Sequence, residues 1–97
     1  LKLIRKSSGE LLEESLPQET EQQIVDIVYQ DPLVTDVHHL HTRRIGNIIA
    51  IEMHLRLPGE SSLEEAHAHS VRIEKRLREE FGQQTHIMLH LEPVKKK

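Results

Sequence analysis

The chain contains no cysteine and no tryptophan, and its only aromatic residues are Tyr29 and Phe81. Without cysteine there is no disulfide framework and no thiolate metal site. Any metal held here must therefore be held by imidazole and carboxylate. With so few aromatics, the core has to come from Leu, Ile, Val and Met. There is also no excess of positive charge, since the formal net charge is −3. This argues against a nucleic-acid partner, which usually calls for a basic stripe and stacking aromatics. No apolar run reaches the roughly 20 residues that span a bilayer, and no signal peptide is visible. Glycines are few and scattered, so no phosphate-cradling loop is present. No nucleophile-elbow pattern appears either, and an enzyme is the least supported class.

Histidine, by contrast, is abundant. Eight residues in 97 are His, several times ordinary usage, and His38, His39 and His41 fall within four positions. A single such histidine is ordinarily a solvated or hydrogen-bonded surface side chain. The number of them raises the metal-binding alternative.

At 97 residues the chain amounts to one domain with a modest core. It opens on Leu1 rather than Met, as expected of a piece of a longer protein. Residues 1–15 are expected to form a connector. Its basic, apolar start, LKLIRK, suits a stub on the cytoplasmic side of a membrane segment, though a frayed terminus reads the same way. Residues 16–93 form the domain, and 94–97 a charged tail. Pro17 suits the first turn of a helix. Gln18 to Gln30 reads as that helix, with Ile24, Val25, Ile27 and Val28 as its apolar stripe. Pro32 stops it. Val37 to Arg44 is strand-like, 45–47 a turn, and Ile48 to Leu57 the clearest strand. In that strand Ile49, Ile51, Met53, Leu55 and Leu57 alternate with Ile48, Ala50, Glu52, His54 and Arg56. The two strands are expected to pair as a hairpin. Ser62 and Glu65 form a capping box opening a second helix, with Leu63, Ala66, Ser70, Ile73, Leu77 and Phe81 as its buried stripe. Gly82 ends it. A last strand runs from Thr85 to Glu92. The order αββαβ predicts a two-layer α+β domain, two helices on one face of a three-stranded sheet.

His90 and Glu92 leave the same face of the last strand, and His54 projects from the polar face of the hairpin. His38 and His67 lie near the starts of their elements. Separate elements can thus converge imidazoles and a carboxylate, donors suited to zinc and less selectively to iron, cobalt, nickel or manganese. On a strand His39 and His41 share a face. On a helix His67 and His69, two apart, do not.

The ordered set HHLHTRRIGN, IEMHLRLPGESSLEEAHAHS, RLREEF and HIMLHLEP resembles the C-terminal cytoplasmic domain of cation diffusion facilitator transporters, over about Leu16 to Pro93. The pattern is a histidine before LxTR and glycine, a strand with a central histidine, a helix opening SxxEAH, and a final strand ending His–x–acid–Pro. The resemblance implies a ferredoxin-like, metallochaperone-like αββαβ fold and a homodimer. It also implies a regulatory role on the cytoplasmic face of a membrane, alongside the transmembrane domain of the same transporter. It implies divalent metal ligands at His38, His54, His67, His90 and Glu92, with zinc first and iron, manganese, cobalt, nickel or cadmium as alternatives. Glu92 stands where some members have Asp, so a bridging geometry is in question. His39, His41, His69 and His86 match no ligand of the family. Two other readings remain open: an iron- or manganese-related member such as a magnetosome transporter, and a metal-independent ferredoxin-like dimerisation module.

Overall fold

The structure is a computed structural model, and residues 15–94 are described here. The elements run α1 (Gln18–Tyr29), β1 (Asp36–Ile45), β2 (Ile48–Leu57), α2 (Leu63–Phe81) and β3 (His86–Pro93). The αββαβ order and the two-layer α+β class are those expected. The expected connector over 1–15 and tail over 94–97 lie, except for Ser15 and Val94, outside the described residues.

β2 is the centre of the sheet, whose strand order is β1-β2-β3. It pairs antiparallel with β1 and parallel with β3. The hairpin turns through Gly46 and Asn47, between the paired residues Ile45 and Ile48. Only Gly46 takes a positive φ there, 65°, which a residue without a Cβ adopts freely. The return from β2 to a parallel β3 needs a crossover, and α2 supplies it.

Ile49, Ile51, Met53, Leu55 and Leu57 form the inner face of β2. They share one core with Ile24 and Val28 of α1 and Ile73 and Leu77 of α2. Both helices therefore lie on one side of the sheet. Among the described residues the opposite side carries no helix. It holds the polar alternates of β2 and everything that stands beside them.

The helix ends follow their sequence signals. The Pro17 carbonyl accepts from the Thr20 and Glu21 amides. Ser62 caps α2, its hydroxyl accepting from the Glu65 amide at 3.0 Å, which is the hydroxyl half of the expected capping box. One member of the expected α2 stripe is corrected. Leu63 is 86% exposed, lining an open groove beside Leu57, Leu91 and Pro93 rather than entering the core.

Asp31 ties the layers together although it is only 1% exposed. One of its oxygens accepts from the Leu33 amide at 2.9 Å, turning the chain after α1. Both face His69 Nδ1 of α2 at 2.8 Å. His69 is thereby a packing residue pinning α2 to the α1–β1 connection. Asp31→Ala would strip two partly buried donors, the Leu33 amide and His69 Nδ1, of their acceptor. Each costs about 1–3 kcal/mol, so a total loss of about 2–6 kcal/mol is expected in urea unfolding. An unshifted midpoint would contradict this role.

Candidate metal centre

The outer face of the sheet is organised in rows across the three strands. Asp36, Arg56 and Glu92 form one row, and His38, His54 and His90 the next. His41, Glu52 and Met88 follow, then Arg43, Ala50 and His86. Residues directly opposite on paired strands share a face. Register alone therefore gathers His38, His54, His90 and Glu92, which lie up to 54 positions apart in sequence, onto one exposed surface.

Their side chains are in contact. Glu92 Oε2 lies 2.6 Å from His54 Nδ1, and Glu92 Oε1 lies 3.3 Å from His38 Nε2. His38 Nδ1 meets Asp36 Oδ2 at 3.0 Å. The His54 and His90 rings stack with centroids 4.5 Å apart, and His90 Nε2 meets Glu52 Oε2 at 3.0 Å. Arg56 Nε stands 3.6 Å from Glu92 Oε1. The hydrogen bond from His54 is the main reason the Glu92 carboxyl is held below the usual carboxylate range. Burial opposes this, while electrostatic attraction to His38, His54 and Arg56 adds to it. Glu92 is thus kept as the anion, the form that either ligates a cation or orients an imidazole.

β1 is not a regular strand. The register slips between His38 and His41, so that His39 and Leu40 together stand against Met53. His39 takes φ 53°. This bulge turns Leu40 towards the core, where Val37 also packs. It brings the His39 ring to 4.8 Å from His38 and 5.0 Å from His54, centroid to centroid. Simple alternation puts neighbours His38 and His39 on opposite faces, and the bulge puts both on the outer one. His38, His39 and His54 each present a ligand atom within 4.8 Å of the others.

Of the five residues expected from the resemblance, His38, His54, His90 and Glu92 come together. His67 does not join them within the chain. It is exposed on α2, in the helical layer behind the sheet. His39 was missed as a member of the group. Its one sequence signal is the spacing of three between the core-facing Val37 and Leu40, which a regular strand cannot accommodate. His41 and His86 lie on the same face in neighbouring rows.

The donors fit a divalent ion. They are imidazole nitrogen and carboxylate oxygen, with no sulfur, which suits zinc and its neighbours. Carboxylates engage the Nδ1 atoms of His38 and His54. This is the outer-sphere pattern that fixes tautomer and ring orientation in histidine metal sites.

Fold and face together define a ferredoxin-like α+β domain with an exposed, donor-rich sheet. Comparison with known proteins agrees. The model of the cation efflux protein cytoplasmic domain matches residues 16–94. The chain belongs to this family, as the cytoplasmic domain of a cation diffusion facilitator transporter. It is 35% identical over 89 residues to the cation-efflux pump FieF of Shewanella oneidensis, covering 92% of this chain and 30% of that protein. Against FieF of Yersinia pestis it is 36% identical over 83 residues, covering 86% and 27%. The chain thus spans under a third of these relatives' length. Among solved structures, the zinc form of CzrB superposes with TM-score 0.75 at 30% identity, covering 89% of this chain and 100% of that one. The metal-bound C-terminal domain of the CzcD transporter from Thermotoga maritima gives TM-score 0.67 at 26% identity, covering 82% and 98%. Magnetosome domains such as MamB, at 14% identity, share the fold. No helix among the described residues is long and apolar enough to cross a membrane.

Proposed function

We propose that this domain binds a divalent cation, zinc foremost, on the outer face of its sheet, and that binding draws two copies together to regulate transport by the full-length protein. The observation that carries this reading is the contact of Glu92 with both His38 and His54, with His90 stacked alongside. Three strands converge there on donors whose orientation is already fixed by carboxylates. CzrB has been solved in a Zn form and CzcD with metal bound, which supports metal binding by the shared fold. An imidazole-rich set favours zinc over manganese, because affinity for nitrogen donors rises along the divalent series towards copper and zinc.

Dimerisation follows from the same face. His67 sits on the helical layer, so it reaches an ion on the sheet only from a second copy. A ligand shared between copies makes metal affinity and association one equilibrium. Two acidic protomers repel weakly, and a bound cation offsets that repulsion. If the ion binds only the associated form, zinc at 100 times its dissociation constant stabilises that form by about 2.7 kcal/mol. In the whole transporter this energy is available to bias the attached transmembrane domain between conformations.

Sedimentation velocity of the metal-stripped protein tests this. Zinc at neutral pH is expected to raise the dimer fraction or compact the dimer. Acidification is expected to reverse the change, since ligating imidazoles must be neutral. Zinc that binds while mass and shape stay constant would contradict the regulatory reading.

A further inference from the structure

Packing explains why β1 bulges, but it does not explain which residue sits at the bulge. The register slip lets Leu40 face inward beside Val37. The residue displaced by that slip takes the left-handed conformation, which glycine or asparagine adopts at less cost than histidine. Observed strain of this kind points to a functional constraint. Here the strained side chain meets two other imidazoles rather than open solvent alone.

We propose that His39 is a direct metal ligand and completes, with His38 and His54, a three-imidazole site inside a single chain. This rests on the reading that the outer face binds a cation, and assigns it a ligand that the family resemblance lacks. The three ligand atoms lie within 4.8 Å of one another. Zinc–nitrogen bonds of about 2.0–2.1 Å place tetrahedral donors roughly 3.3 Å apart, so closure needs side-chain rotation only. Asp36 orients His38 through Nδ1 and Glu92 orients His54 through Nδ1, while the other Glu92 oxygen, 3.3 Å from His38 Nε2, stands at the edge of the site. The fourth position is left to water, to Glu92 after it shifts, or to a donor from a second copy. The three histidine donors are all nitrogen and suit a borderline divalent cation such as zinc, cobalt or nickel. The three imidazoles of this site all come from one protomer, and a donor from a second copy adds to them in the dimer.

The test compares zinc affinity, by competition with a chromophoric chelator, in the parent, His39→Asn, His39→Gly and His41→Asn. Asparagine and glycine both tolerate the left-handed backbone. Both His39 variants are expected to lose affinity by about 10–100-fold, at least the effect of disturbing an outer-sphere partner. His41→Asn is expected to stay within about threefold, the context scatter left by non-ligand changes. The urea midpoint of metal-free His39→Gly is expected to hold or rise, because a strained residue has been relieved. A purely structural His39 would lower the midpoint and the affinity together, and that result overturns the proposal. Parent-like affinity in both His39 variants overturns it too, while leaving the outer-face reading intact. A parent that binds no zinc defeats both readings.

Discussion

His54→Ala is expected to weaken zinc binding by at least about 100-fold. His54, on the central strand, stands in the middle of every arrangement on this face. Its ring lies beside His38, His39 and His90, and its Nδ1 meets Glu92 at 2.6 Å. Zinc held by about four protein ligands is worth about 10–16 kcal/mol. One ligand's share is about 3 kcal/mol, which is about a hundredfold in affinity. The variant also frees Glu92 from its orienting partner, adding to the loss. The fold should tolerate the change, since His54 stands on the uncovered face with its side chain 30% exposed. His86→Ala is the matched control: it lies on the same face two rows away, opposite Ala50. Calorimetric titration of both variants decides the matter. Zinc affinity within threefold of the parent in His54→Ala would remove the centre from this position.

The second large effect is on stability. Leu55→Ala is expected to lower it by about 3–5 kcal/mol. Leu55 is 0% exposed, pairs with Val37 on one side and Leu91 on the other, and sits in the core shared by both helices. Central strand and helical layer leave little room to collapse into the cavity. A small domain has roughly 5–15 kcal/mol in total, so metal-free Leu55→Ala should be close to unfolding at body temperature. Urea unfolding with an unchanged slope and a lower midpoint would show a loss of native stability alone. Zinc should recover part of it, because an ion that binds only the folded form stabilises that form by mass action. A loss below about 1 kcal/mol would mean that the core at Leu55 repacks, against the native density expected of such interiors.

Much of this was legible in the chain. β2 alternates so regularly that its inner and outer faces could be assigned residue by residue, and the structure keeps them. Ser62 and Gly82 marked the ends of α2 because capping is local chemistry. The inward stripe of α2 held at Ser70, Ile73 and Leu77 but not at Leu63. Periodicity states which side of a helix is apolar, not where the core beneath it ends. Pairing partners are not local, and so the bulge in β1 was missed. Its only trace, Val37 and Leu40 three apart, becomes informative once Met53 is known to stand opposite. The same holds for Asp31 and His69, 38 positions apart, whose contact depends on how α2 returns across the sheet. Four of the five candidate ligands met because rows of a sheet follow from register. The fifth, His67, stands in the helical layer, which explains why one chain cannot bring it to the others.

The most direct measurement is the long-range 1H–15N spectrum of the histidine side chains, recorded with and without one equivalent of zinc. If the outer face is the metal centre, the ring nitrogens of His38 and His54 move to metal-bound positions. Those of His69, locked to Asp31 behind the sheet, stay where they were. Zinc that shifts other histidines and leaves His38 and His54 unmoved would contradict a metal centre built on rows of this sheet.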